Sequence, residues 1–216
     1  MYQAVLFDLD GTFADTAPDL ALAINQLLRE RGLAPLPLAL TRPHTSSGAR
    51  GLIEVGFGLG PEDDAYPALR ERFLELYGAN ICVHTSPFQG IPELLDALEA
   101  RRIPWGIVTN KASRFTDPLM RELGLHLRAA CIVSGDTTER IKPAPDSLLY
   151  AANALKLPPS ACLYVGDDLR DVQAARAAGT GILAVAYGYL GADGDPHAWR
   201  ADAVIVHPSE VLRFLG

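Results

Sequence analysis

Two carboxylates stand one residue apart in Val5-Leu6-Phe7-Asp8-Leu9-Asp10-Gly11-Thr12, where an apolar run meets a glycine turn. In an extended strand, residues i and i+2 point to the same side, so Asp8 and Asp10 are placed to meet one substrate or one metal ion. Two acids that close do not ionise together unless a cation sits between them or one keeps its proton. The competing reading is a hairpin, because Asp-Gly after an apolar run is a strong turn signal. The next residues oppose a hairpin. Asp15-Thr16-Ala17-Pro18-Asp19 reads as a capped helix start with Pro in the first turn, and Leu20, Ile24, Leu27 and Leu28 continue at helical spacing.

Other polar residues sit where apolar runs end. Gly106-Ile107-Val108 leads into Thr109-Asn110, and Leu163-Tyr164-Val165 leads into Gly166-Asp167-Asp168 with Asp171 close behind. Lys142-Pro143 opens a loop-to-helix junction. Each has a plain structural explanation taken alone. Thr109-Asn110 could cap the next helix through a side-chain turn. Lys142 could be a solvated loop lysine, and the three aspartates could complement a helix dipole. All these explanations would have to hold together, in order, at one edge of one sheet.

Periodicity gives the elements that would position them. Apolar runs at 105–108, 130–133, 161–165, 182–185 and 203–206 read as strands. Helical patterns lie between the earlier ones: Pro92 to Arg101, Phe115 to a C′ glycine at Gly124, Pro145 to Leu157, and Asp171 to Ala178 ending at Gly179. Such alternation predicts an α/β fold, a parallel sheet covered on both faces. Residues 16–84 break the alternation and read as helices over roughly 17–31, 48–56 and 62–78, with Leu33 to Pro43 as a loop. The expected organisation is an α/β core from 1–15 and 85–216 with an all-helical insertion at 16–84. In open parallel sheets ligands bind beyond the carboxyl ends of the strands, so an insertion leaving from that end would stand over the site.

Bulk properties narrow the partners. The chain has 216 residues, 49% of them hydrophobic, a net charge of -7 and a pI near 5.2. That balance argues against nucleic acid or an anionic membrane as partner. Cys82, Cys131 and Cys162 are odd in number and widely spaced, as expected of reduced thiols in a cytoplasmic protein. The short N-terminal apolar run stops at Asp8 and reads as a strand rather than a signal peptide. No stretch approaches the roughly 20 apolar residues of a membrane span.

Asp8-Leu9-Asp10-Gly11-Thr12, Thr109-Asn110, Lys142-Pro143 and Gly166-Asp167-Asp168-Leu169-Arg170-Asp171, in that order, resemble the haloacid dehalogenase-like phosphohydrolases. The resemblance runs nearly end to end. It implies a doubly wound, Rossmann-like core with a helical cap, and within the family the chain looks most like phosphoglycolate phosphatases. Gly106 to Lys111, Arg114-Phe115-Thr116 and Asp195 to Trp199 are similar to a bacterial branch that includes N-acetylmuramic acid 6-phosphate phosphatases. The resemblance assigns the nucleophile to Asp8, through an aspartyl-phosphate intermediate, and general acid–base work to Asp10. It assigns Mg²⁺ to Asp8, the Asp10 carbonyl and Asp167, with Asp171 nearby; whether Asp168 or Asp171 is the second acid stays open. Lys142, Thr109 and Asn110 would hold the phosphoryl oxygens, and Gly11 would let the backbone approach the phosphate.

The insertion should read the leaving group. Ser46 to Gly51 is its most polar segment, which makes Arg50 and Gly48 candidate specificity residues; Lys111, His44 and Arg114 stand behind them. The implied partner is a small-molecule phosphate ester, and the protein a monomer or homodimer. The rivals are a broad sugar-phosphate phosphatase, a β-phosphoglucomutase-like phosphoryl transferase, a dehalogenase and, from another class, a signalling receiver domain. Receivers lack an insertion, and dehalogenases do not need the second aspartate and the metal.

Overall fold

Residues 2–191 and 194–215 are described by a computed structural model. In chain order the elements begin with β1 (Ala4–Phe7), β2 (Ala14–Asp15), α1 (Ala17–Glu30), α2 (Leu38–Thr41), a 3-10 stretch Arg42–Ser47, α3 (Gly48–Phe57), α4 (Tyr66–Ala79) and β3 (Ser86–Pro87). The remainder is α5 (Ile91–Ala100), β4 (Trp105–Val108), α6 (Ser113–Glu122), β5 (Cys131–Val133), α7 (Asp146–Ala154), a 3-10 stretch Pro159–Ala161, β6 (Cys162–Gly166), α8 (Leu169–Ala178), β7 (Gly181–Val185), β8 (Ala203–Ile205) and a 3-10 stretch Pro208–Phe214.

Six strands form one parallel sheet in the order β5-β4-β1-β6-β7-β8. β1 is central and fully buried, and its alternation explains why it is apolar throughout. Val5 and Phe7 face a layer that includes Leu94, Leu95 and Leu98 of α5 with Leu119 and Met120 of α6. Ala4 and Leu6 face Leu148 and Ala151 of α7 with Val172 and Ala175 of α8. A strand flanked by helices on both sides has no polar face to spare. The hairpin reading of Asp10-Gly11 fails here. β1 pairs in parallel with β4 and β6, and the turn leads instead to β2, which pairs antiparallel with β3.

The chain between β2 and β3 is helical, built from α1 to α4. Its own core unites Ile24, Leu27 and Leu28 of α1, Leu52 and Ile53 of α3, and Leu69, Phe73 and Tyr77 of α4, and Phe115 of α6 joins it. Both crossings are pinned by aspartates. Asp15 receives a bidentate pair from Arg42 at 2.9 and 2.8 Å. The fully buried Asp19 accepts backbone N–H bonds from Val83, His84 and Thr85, and one from the Thr85 hydroxyl at 2.7 Å.

Two local expectations need correction. Leu33 to Pro43 is not all loop, because α2 forms over Leu38–Thr41 and runs into the 3-10 stretch. Thr16 occupies the N-cap of α1 but makes no capping bond; its hydroxyl is drawn off to the Asp10 carboxylate.

Candidate active site

β1, β4 and β6 end side by side, so the residues just beyond them converge. A cavity of about 360 Å³ opens there, between the strand ends and the helical insertion. Asp8, Asp10, Thr109, Asn110, Lys142, Asp167 and Asp171 all line it. The strand stops at Phe7, so strand alternation is not what aims Asp8 and Asp10 together. The turn does so: Ala14 and Phe13 donate backbone N–H bonds to the Leu9 carbonyl and fold the chain back.

The two acids then part company. Asp8 joins a buried cluster in which one oxygen each from Asp8, Asp167 and Asp171 lie within 4.8 Å of one another. Asp10 stays outside the cluster, paired with Lys111 Nζ at 3.0 Å and accepting the Thr16 hydroxyl. Lys142, 3% exposed, reaches in from the loop before α7. Its Nζ lies 2.9 Å from Asp8 Oδ1 and 2.7 Å from Asp171 Oδ1. It also donates to the Tyr164 hydroxyl at 2.7 Å and to the Val108 carbonyl at 3.2 Å. The Asn110 side chain holds Lys142 in place by bonding its backbone N–H and C=O, both at 2.9 Å. Thr109, buried at the end of β4, accepts the Lys111 N–H.

Charge in this cluster does not balance. Burial pushes the Asp8 carboxyl up to about 7; Lys142 pulls against it, while Asp171 and Asp10 add to the rise. Burial likewise raises Asp167 well above the usual carboxylate range, helped by Asp8 and Asp171. Burial would lower the Lys142 ammonium, but Asp171 and Asp8 outweigh it and hold it above its ordinary value. Three buried carboxylates against one ammonium leave an excess of negative charge. The donors are all oxygens. Both observations fit a hard divalent cation, which takes carboxylate ligands and releases their protons on binding.

The choice between Asp168 and Asp171 is made by helix capping. Asp168 is the N-cap of α8: it accepts the Arg170 N–H at 2.9 Å and is gripped by the Arg170 guanidinium at 2.8 and 2.7 Å. Despite burial, that guanidinium holds Asp168 below the usual carboxylate range. Asp171, one turn on, closes the capping box through the Asp168 N–H and faces Lys142.

Gly11 packs directly against the acid cluster. At its φ of +84° an added Cβ would fall 2.2 Å from Asp167 Oδ2. Glycine there makes room for the acid cluster. Gly166 does the same for Asp171, whose Oδ2 would stand 2.4 Å from its Cβ.

Among the specificity candidates, Gly48, Arg50, Lys111 and Arg114 line the cavity and His44 does not. Lys111 is a partner of Asp10 and sits 4.7 Å from the Tyr77 ring of α4. Sequence reasoning missed Tyr164, Thr12, Tyr189 and Arg70. Thr12 Oγ1 donates to Asp167 at 3.0 Å and the Tyr189 N–H to the other oxygen at 2.8 Å. Thr12 lay inside the Asp-Leu-Asp-Gly-Thr run and could have been found. Tyr164 reads as one more apolar strand position, and nothing local marks its hydroxyl.

The model of the haloacid dehalogenase-like hydrolases matches residues 5–185 of this sequence. The chain belongs to that family. Among curated relatives of this hydrolase, the N-acetylmuramic acid 6-phosphate phosphatase of Pseudomonas putida is 43% identical, covering 99% of this chain and 96% of the relative. The phosphoglycolate phosphatase of Xanthomonas campestris pv. campestris is 41% identical, covering 97% and 94%. A crystal structure of a protein described as a predicted phosphoglycolate phosphatase, from Haemophilus somnus, superposes with a TM-score of 0.88 at 26% identity, covering 100% of this chain and 98% of that one. This haloacid dehalogenase-like hydrolase is therefore a phosphoric monoester hydrolase. No helix among its described residues is long and apolar enough to cross a membrane.

Proposed function

We propose that the protein is a Mg²⁺-dependent phosphatase that forms an aspartyl-phosphate on Asp8 and selects esters whose leaving group carries a carboxylate. The buried cluster of Asp8, Asp167 and Asp171 around Lys142 carries the catalytic part of this reading. A bare carboxylate repels a phosphate dianion: like unit charges about 4 Å apart cost roughly 4 kcal/mol at an effective dielectric near 20. A Mg²⁺ held by Asp8, Asp167, Asp171 and the Asp10 carbonyl would supply the offsetting charge. Lys142 and the Thr109–Asn110 strand end then hold the phosphoryl oxygens. Asp8 forms the bond to phosphorus while the ester oxygen leaves with a proton from Asp10. Asp10, ionised again, takes a proton from the water that attacks the aspartyl-phosphate, which frees phosphate and restores Asp8. Lys111 orients the Asp10 carboxylate for both transfers.

Residues 16–84 act in this reading as a cap over the core formed by 1–15 and 85–216. The cavity wall carries Arg50, Arg70 and Arg114 alongside Leu20, Phe73 and Phe115, so it offers both cations and apolar surface to a leaving group. Its size, about 360 Å³, lies at the lower end for small-molecule sites and exceeds what a two-carbon acid fills. This favours a carboxylate-bearing sugar phosphate such as N-acetylmuramic acid 6-phosphate over 2-phosphoglycolate. The test is phosphate release with Mg²⁺ from those two esters and from N-acetylglucosamine 6-phosphate, which lacks the carboxylate. The expected order of kcat/KM places N-acetylmuramic acid 6-phosphate first. Equal slow turnover of all three would mark a generalist, and isomerisation of a hexose 1-phosphate without phosphate release would mark a mutase.

A further inference from the structure

Arg170 is not among the residues assigned to the phosphoryl transfer, yet it joins three parts of the molecule. Its guanidinium grips Asp168 at 2.8 and 2.7 Å, and the same Nη2 donates to the Ser46 carbonyl at 2.7 Å. Asp168 is the N-cap of α8 and Asp171 completes its capping box, so the contact runs on through Asp171 to Lys142 and Asp8. On the far side, Ser46 lies near the end of the 3-10 stretch just before α3, and Ser46, Ser47, Gly48, Ala49 and Arg50 all line the cavity. The Ser46 hydroxyl is buried with no hydrogen-bond partner among the described residues. A buried hydroxyl left unpaired is costly, and a polar leaving group is what the cavity admits.

We propose that Arg170 is a positioning residue for substrate recognition: it fixes the Ser46–Arg50 loop against the acid-bearing end of α8, so that the loop presents its polar groups to the leaving group. A planar guanidinium suits the task, because it holds a carboxylate with two N–H groups and still reaches a carbonyl. The inference stands whichever ester is the substrate and does not require the helical insertion to move. It also gives Asp168 a role beyond capping, as the anchor of the clamp.

The experiment uses the full chain with Mg²⁺ and compares wild type with Arg170→Met. Amide hydrogen exchange over residues 45–50 should quicken by about tenfold or more, with exchange in α4 and the melting temperature held near wild type. The KM for para-nitrophenyl phosphate, whose leaving group is a bulky aryl ring, should rise at least about fivefold while kcat changes less. For acetyl phosphate, whose leaving group is small, KM should move by less than about twofold. Unchanged exchange at 45–50 would overturn the proposal. So would an equal fall in kcat on both esters, which would mean that Arg170 acts through Asp171 and Lys142 instead. If Arg170→Met does not fold, Asp168→Asn, which keeps an N-cap acceptor for α8 but removes the charge that anchors Arg170, is read by the same two measurements.

Discussion

The Lys142 ammonium, itself buried, stands 2.9 Å from an Asp8 oxygen at the floor of the cavity. The same ammonium is 2.7 Å from Asp171, so one cation serves two acids. The nucleophile candidate is therefore held in place before any substrate arrives, but its charge is only partly compensated.

In the proposed mechanism, replacing Asp8 by Asn removes the attacking carboxylate, one of three acids in an overcrowded cluster. Phosphate release should fall at least about 10³-fold. The melting temperature of the metal-free protein should hold or rise, since a buried acid has been deleted. Assay of inorganic phosphate together with a thermal melt checks both. Substantial residual turnover would remove Asp8 from the mechanism.

Lys142→Met should do worse to the fold than to any one contact. It leaves Asp8 and Asp171 buried without a cation, a change that typically costs about 3–5 kcal/mol. Activity should drop by about 10²–10³-fold through loss of phosphoryl-oxygen binding. Urea denaturation and steady-state rates measure the two losses separately.

Stability should depend on pH in a metal-linked way. Asp8 is raised from the ordinary carboxylate range to about 7, and Asp167 is raised as well. The folded state therefore binds more protons than the unfolded chain between about pH 4 and 7, so metal-free stability falls as pH climbs through that window. A divalent cation needs those protons gone. Below pH 7 its affinity should fall by about tenfold per pH unit for each proton displaced. The rise in melting temperature on adding Mg²⁺ should be small at pH 5 and large at pH 8; the reverse order would contradict a carboxylate metal site.

Gly11→Ala tests the tight packing behind the acids. The new methyl would meet Asp167 Oδ2, and the residue would have to keep a left-handed φ. Asp167 should shift, and the Mg²⁺ concentration for half-maximal activity should rise about 10- to 100-fold. Metal titration of the rate reads this directly.

Asp19→Ala separates architecture from chemistry. It strips partners from the backbone N–H groups of Val83, His84 and Thr85 where the insertion rejoins the core. A stability loss of about 2–4 kcal/mol is expected, with the folded fraction still active.

Sequence alone went far. Buried parallel strands must be apolar on both faces, so Val5 to Phe7 and Leu163 to Val165 announced the sheet. The helical insertion was legible because its spacing changed period. The acids at the strand ends were legible because polar residues rarely end such runs by accident. Direction and pairing were beyond its reach. Spacing alone leaves Asp8 and Asp10 equivalent and only the family resemblance separates their roles; it is the turn after Phe7 that sends one to Lys142 and the other to Lys111. Asp168 and Asp171 were equally acidic on paper, and only the helix cap turns the first toward Arg170 and the second toward the cluster. Local sequence sets periodicity and turn chemistry. The partner of a buried charge is set by whichever distant segment the fold brings within about 3 Å, the reach of a hydrogen bond, and that is settled only in three dimensions.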